Sequence, residues 1–171
     1  IAVMLFEMLR IKMRQELRVL SSVHVLLLSL GMFASYLIVL QQADYQQILL
    51  TIAFASVLSD VTAFFFGNFF GSHHLPKALN DRKSWEGVTG QIIGAFIGVI
   101  LLNAFVLPSS ASLLIALPIG IGAVIGDLFN SYIKRRAGIK DWSGYLPGHG
   151  GYIDRLASLS MSILLVYVFV L

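Results

Sequence analysis

The residues best suited to chemistry lie between the last two apolar runs of the chain, in residues 131–155. This stretch combines five Lys and Arg side chains with two aspartates, one histidine and several glycines. A connection that only joined two membrane helices would not need this mixture. The combination indicates a site for a phosphate-rich ligand held at a membrane surface.

Two carboxylates flank this stretch and suit a hard cation. Asp127 precedes it and Asp154 lies near its end, so a loop that folds back would bring the two together. Mg²⁺ prefers oxygen ligands and commonly takes one or two carboxylates plus phosphate oxygens. We therefore predict that both aspartates bind Mg²⁺, while nearby cations and glycine N–H groups hold phosphate. These groups belong to Lys134, Arg135, Lys140, Arg155, Gly148, Gly150 and Gly151.

The helical spacing of Asp127, Asn130, Ser131 and Lys134 places them on one polar face that leads into the basic stretch. A further acid, Asp60, lies deeper within an apolar run. A carboxylate at bilayer depth costs about 2.5–3.5 kcal/mol on insertion scales, so it usually faces a cavity or a partner. Asp60 is therefore either a site residue or a carboxylate neutralised by an interhelical hydrogen bond.

Composition places these residues in a membrane protein. Of the 171 residues, 57% are hydrophobic and only 12% are charged, against about one quarter charged in soluble domains. Four runs are long enough to cross a bilayer as helices, and a fifth begins near Leu156. The four are residues 19–40, 47–70, 88–107 and 112–130. The predicted fold class is an all-α transmembrane bundle of about five spans with a polar active-site cavity on the cytoplasmic side, in one integral-membrane domain over residues 1–171.

The basic residues predict the orientation of this bundle. All twelve Lys and Arg fall in residues 10–18, 77–83 and 134–155, and the two intervening connections contain none. Because cytoplasmic loops carry the excess of positive charge, the basic connections are expected to face the cytoplasm. Residues 1–9 fit the end of an earlier span, and the chain is expected to be an N-terminally truncated fragment. The absence of cysteine excludes disulfides and thiolate sites.

Two blocks of the sequence match a family signature. The first reads Ser131-x-Ile133-Lys134-Arg135, then Lys140-Asp141, then Pro147-x-His149-Gly150-Gly151-x-x-Asp154-Arg155. The second joins Asp60-x-x-Ala63-Phe64 to Lys83-Ser84-Trp85-Glu86-Gly87. Together they resemble the phosphatidate cytidylyltransferases (CDP-diacylglycerol synthases), over about residues 58–158.

The resemblance implies a reaction in which a phosphate oxygen of phosphatidate attacks the α-phosphorus of CTP. Pyrophosphate leaves, CDP-diacylglycerol forms, and catalysis depends on alignment and charge neutralisation. It also implies a homodimer in the bacterial inner membrane, Mg²⁺ with a monovalent cation such as K⁺, and no nucleic-acid partner. The implied catalytic residues are Asp127, Asp154, Lys134 and Lys140, with Asp127 and Asp154 on the metal. The implied substrate-binding residues are Lys83, Ser131, Arg135, Asp141, His149, Gly150, Gly151, Arg155 and Asp60.

Two departures from the family pattern keep alternatives open. Ala157 stands where the family carries an aspartate, and Asn130 stands where glutamate is common. Ala157 is consistent with an engineered change, with a divergent paralogue of altered substrate, or with an impaired paralogue that binds CTP or lipid phosphate without turnover. A transporter that uses Asp60 and Asp127 as ion sites is a further hypothesis.

Overall fold

The computed structural model describes residues 1–76, 79, 83–105, 113–145 and 151–171. Over these residues it contains six α-helices and no strand beyond one isolated bridge between His74 and Ser84. The helices are α1 Ala2–Arg10, α2 Gln15–Gln41, α3 Tyr45–Phe70, α4 Trp85–Phe105, α5 Ala116–Arg136 and α6 Tyr152–Phe169. The predicted all-α class is confirmed.

Among the described helices, α2 to α6 are long and apolar enough to cross a membrane, which confirms the prediction of five spans. The differences from the predicted spans lie at the helix ends. Helix α5 continues six residues past the predicted end at residue 130, and α6 begins at Tyr152 rather than near Leu156. Helix α1 has only 9 residues and is not itself a candidate span.

The end of α5 is set by the backbone and not by the end of the apolar run. Gly138 adopts a φ of 70°, a left-handed conformation that glycine reaches without strain. The N–H groups of Gly138 and Ile139 donate to the carbonyls of Arg135 and Lys134, at 3.2 and 3.0 Å. This pattern closes a helix C-terminus. Consequently Ser131, Lys134 and Arg135 project from a helix rather than from a loop.

Small residues let the helices around the site approach closely. Three glycines recur at every fourth position of α4 and face α3, and a Cβ added to Gly94 would collide with the side chain of Thr62. On α5, a Cβ added to Gly126 would collide with the carbonyl of Ala157 on α6. Such close contacts are common where helices pack inside a membrane. They fix the separation of the helices that carry the polar residues.

Two apolar clusters fill the interior. One joins α2 to α6 and includes Ile52 and Val166. The other includes Met4 of α1, Ile133 of α5 and Ile153 at the start of α6. The second cluster supports the charged end of the bundle, and α1 is part of it.

Candidate active site

A polar cavity of about 390 Å³ is formed by α3 to α6 and the segment that leads into α4. It brings together residues of both sequence blocks, although these are far apart in the chain. Seven of the predicted site residues line it: Asp60, Lys83, Asp127, Lys134, Asp141, Asp154 and Arg155. The cavity therefore holds cations and carboxylates side by side.

Lys83 and Asp127 form an ion pair inside this cavity. Their side chains are 27% and 34% exposed, so both remain accessible to a ligand. Asp127 projects from α5, whereas Lys83 precedes α4. The backbone around Lys83 is fixed because Leu75 N–H donates to the Lys83 carbonyl at 2.8 Å and Trp85 N–H donates to the His73 carbonyl at 2.9 Å.

The start of α4 is also capped by side chains. Ser84 Oγ accepts a hydrogen bond from Gly87 N–H at 3.1 Å, as expected of an N-cap serine. Glu86 Oε1 lies 2.7 Å from His73 Nδ1 and accepts the His73 N–H at 3.1 Å. These contacts determine the direction from which Lys83 reaches Asp127.

Asp154 is surrounded differently from Asp127. Its Oδ2 accepts the N–H groups of Trp142 and Gly151, each at 3.0 Å. Its Oδ1 accepts from Lys134 Nζ at 2.5 Å and from Asn130 Nδ2 at 3.4 Å. A carboxylate offers about four acceptor positions, so these four donors use them all. Asp154 thus joins α5, the start of α6 and the connection between them.

Asn130 links Trp142 to Asp154 through hydrogen bonds. Its Oδ1 accepts a hydrogen bond from Trp142 Nε1 at 2.6 Å, and both residues are 3% exposed. The amide can accept from Trp142 and donate to Asp154 at the same time, whereas a carboxylate could only accept. The neighbours of residue 130 in this chain therefore suit an asparagine, which stands where the family commonly has glutamate.

The surroundings of Asp60 agree with both hypotheses that the sequence left open. It lines the cavity, and it is also hydrogen-bonded between helices. Gln91 Nε2 donates to Asp60 Oδ1 at 3.0 Å, and Ser158 Oγ donates to Asp60 Oδ2 at 2.9 Å. Because Asp60 and Asp127 share one cavity, the two intramembrane acids belong to a single site.

Comparison with known proteins identifies the family to which this chain belongs. The Cytidylyltransferase family matches residues 1–171 of the chain. The chain belongs to this family. It is 41% identical over 118 residues to the phosphatidate cytidylyltransferase of Helicobacter pylori, 38% over 104 residues to that of Mycobacterium leprae, and 38% over 119 residues to that of Brucella abortus.

These matches cover 66%, 60% and 68% of this chain, but only 42%, 33% and 44% of the relatives. The chain thus spans less than half the length of the phosphatidate cytidylyltransferases that it matches. The resemblance drawn from the two sequence blocks is confirmed at the level of the family.

Other predicted site residues of this chain lie outside the cavity wall. Lys140 and Arg135 are exposed, and Ser131 is buried on α5. Gly151 N–H, which was expected to meet phosphate, donates to Asp154 instead. The predicted Gly148, His149 and Gly150 lie outside the described residues.

The described residues contain no group of three or more His, Cys, Asp and Glu side chains arranged to hold a metal ion. Mg²⁺ does not need one, since it often takes one or two carboxylates together with phosphate oxygens. Asp127 fits this role because it lines the cavity and pairs with a partly exposed lysine. Asp154 could offer its Oδ1 only after a donor such as Lys134 leaves.

Several residues of the site were not predicted. Trp142, Gln91 and Ser158 hold the aspartates by hydrogen bonds, and Glu7 is a fully buried acid on α1. For Glu7 a signal was available, since it is an acid within an apolar run, as Asp60 is. Ala157 lines the cavity, in agreement with its i+3 spacing from Asp154.

Proposed function

We propose that this chain contributes the catalytic part of a phosphatidate cytidylyltransferase that uses CTP. The observation that carries the proposal is the cavity in which Lys83 of one sequence block and Lys134 and Asp154 of the other converge with Asp127 at one end of the bundle. The names of the relatives support the same substrate and reaction class.

In the proposed reaction, a phosphate oxygen of phosphatidate attacks the α-phosphorus of CTP. A new P–O bond forms, the bond from the α-phosphorus to the bridging oxygen of the β-phosphate breaks, and pyrophosphate carries away the electron pair. Lys83 and Arg155 line the cavity and would neutralise charge on the phosphates, which is the main requirement of such a displacement. Lys134, which Asp154 holds in the cavity before substrate binds, would then contact the reacting phosphates and orient them.

A Mg²⁺ ion bound at this site would polarise phosphoryl oxygens and offset the charge that develops on pyrophosphate. We propose Asp127 as its first protein ligand, with phosphate oxygens completing the coordination. Asp154 Oδ1 is the proposed second ligand, after displacement of Lys134. A neighbouring K⁺ remains a prediction of the resemblance.

We also propose that the cavity opens on the cytoplasmic side of a bacterial inner membrane. The support is the confinement of all twelve Lys and Arg to alternate connections. Arg10 Nη1 donates to Tyr145 Oη at 2.8 Å, so the first and third basic segments meet at one end of the bundle. The predicted homodimer can be tested by light scattering of the purified protein in detergent.

The activity is tested with purified protein in mixed micelles that contain phosphatidate, labelled CTP and Mg²⁺. We expect CDP-lipid and pyrophosphate in equal amounts, with product lost in Asp127→Asn and kept in Lys140→Ala. Absence of product from both the wild-type chain and Ala157→Asp would overturn the proposal.

A second candidate function is binding of CTP or lipid phosphate without turnover. The specific observation in its favour is Ala157, which lines the cavity at the position where the family resemblance implies an aspartate. CTP binding by calorimetry, with no product until Ala157→Asp is introduced, would support it. Turnover by the unmodified chain would exclude it.

A further inference from the structure

The buried carboxylate of Glu7 contacts the site from a part of the chain outside both sequence blocks. Glu7 lies on α1 and is 0% exposed. Its Oε1 accepts hydrogen bonds from Ser143 Oγ at 2.6 Å and from Tyr152 N–H at 2.9 Å. Its Oε2 accepts from Ile153 N–H at 3.1 Å. All three donors are more than 130 residues away in sequence.

Two of these donors are the first N–H groups of α6, which have no partner within the helix. The residue before them is Gly151, which has no side chain that could cap them. A Cβ added to Gly151 would lie 2.9 Å from both carboxylate oxygens of Glu7. Glu7 therefore acts as the helix cap in place of residue 151, and its negative charge lies at the positive end of the helix.

Asp154 is in the same first turn of α6, two residues after Tyr152. Glu7 accepts the first two N–H groups of this turn, while Asp154 lines the cavity and accepts from Trp142 N–H. The third donor to Glu7, Ser143, directly follows Trp142. The Glu7 carboxylate thus hydrogen-bonds both to the start of α6 and to Ser143. The relative position of these two segments determines where Asp154 and its partner Lys134 lie.

A second contact from α1 reaches the same connection. The Arg10 guanidinium lies 5.7 Å from the centre of the Tyr145 ring and donates to its hydroxyl at 2.8 Å. Met4 and Met8 of α1 also pack in the apolar cluster that contains Trp142 and Ile153. Apolar packing alone would bury α1, and it would not require a carboxylate there. The buried charge is explained by the three donors that it satisfies.

We propose that Glu7 is a positioning residue for the cytidylyl-transfer site. It fixes the start of α6 against residues 142–143, and so sets the place of Asp154 and Lys134 in the cavity. The proposal rests on the proposed function for its kinetic consequence, whereas its structural part can be measured without turnover. A displacement of about 1 Å at reacting groups can reduce turnover by about 100-fold, so the effect should be large.

The test uses Glu7→Gln in the full chain, because glutamine keeps the size but places an amide donor against a donor N–H. Glu16→Gln is the matched control, since it is the same substitution at an exposed residue. Val166→Ala, in the other apolar cluster, is the control for general loss of stability. All variants carry Trp85→Phe, so that Trp142 is the one remaining tryptophan.

We expect the Trp142 emission of Glu7→Gln to shift to longer wavelength and acrylamide quenching to increase, with neither change in the controls. We expect kcat to fall about 10- to 100-fold with a smaller change in KM for CTP. Ser143→Ala, which removes one donor, should produce the same shift in weaker form, and Glu7→Asp should recover part of the emission.

Unchanged Trp142 emission in Glu7→Gln would overturn the proposal. So would a lower melting temperature with unchanged kcat of the folded protein, as expected of Val166→Ala, or a shifted emission with unchanged kcat. If neither the wild-type chain nor Ala157→Asp shows turnover, the proposed function fails. The Trp142 signal would then still decide whether Glu7 fixes the start of α6.

Discussion

The two Lys–Asp pairs of the cavity have the same chemical groups and different surroundings. In the pair of Lys83 with Asp127, both side chains are about one third exposed. In the pair of Lys134 with Asp154, they are 15% and 8% exposed, and the carboxylate also accepts from Trp142, Gly151 and Asn130. The difference indicates a division of roles. Asp127 is available to a ligand, whereas Asp154 first organises the protein.

The largest expected effect on stability comes from Asp154→Asn. Removing one partner of a buried pair leaves Lys134 uncompensated, which costs about 3–5 kcal/mol. The amide also cannot accept from all four donors. Thermal or denaturant unfolding in detergent should show this loss. If Asp154→Asn unfolds at the wild-type midpoint, the structural role of the buried pair is wrong.

Asp127→Asn should separate activity from stability. Because the pair with Lys83 is partly exposed, its removal should cost about 1 kcal/mol or less of unfolding free energy. Turnover should fall about 100- to 1,000-fold, since the proposed carboxylate ligand of the cation that offsets transition-state charge is lost. The initial rate of CDP-lipid formation measures this. Retention of more than about a tenth of the wild-type rate would contradict the assignment.

Gly126→Ala tests whether the distance between the pairs matters. The added methyl group would collide with the Ala157 carbonyl, and overpacking of this kind costs about 1–3 kcal/mol. It should also push α6, and Asp154 with it, away from Asp127 and reduce turnover. Gly144→Ala is the matched control, because a Cβ there meets nothing within 4 Å. Equal melting temperatures and rates for the two variants would refute the close-packing argument.

The smallest effect is expected for Lys140→Ala. The sequence predicts a catalytic role for Lys140, but the side chain is exposed and does not line the cavity. Exposed substitutions usually change free energies by about 0.5 kcal/mol or less, or about two-fold. Measured kcat/KM should therefore stay within two-fold of wild type. A loss equal to that of Lys83→Ala would restore Lys140 to the site.

The sequence predicts the five spans and the charged residues of the cavity, because both depend on local signals. Apolar runs identify α2 to α6, and acids such as Asp60 and Asp127 stand out because a carboxylate inside such a run is costly. The end of α5 could also have been predicted, since Gly138 follows its last basic residues as a C-terminal glycine commonly does.

The partners of these residues could not be predicted, because they depend on long-range packing. Nothing local indicates that Asp154 accepts the Trp142 N–H, or that Glu7 reaches across to α6. Five cations in residues 131–155 look equivalent by type, yet only Lys134 and Arg155 of them line the cavity. The extension of α5 and the turn at Gly138 set the directions of these side chains, and so determine which cations line the cavity.

The most direct test of the two roles is a structure of the protein with CTP and Mn²⁺, in which anomalous scattering locates the ion. Mn²⁺ serves as a visible substitute for Mg²⁺. We predict an ion bound to a carboxylate oxygen of Asp127, with Asp154 Oδ2 still accepting from the N–H groups of Trp142 and Gly151. An ion site without Asp127, or an Asp154 released from both backbone donors, would contradict this account.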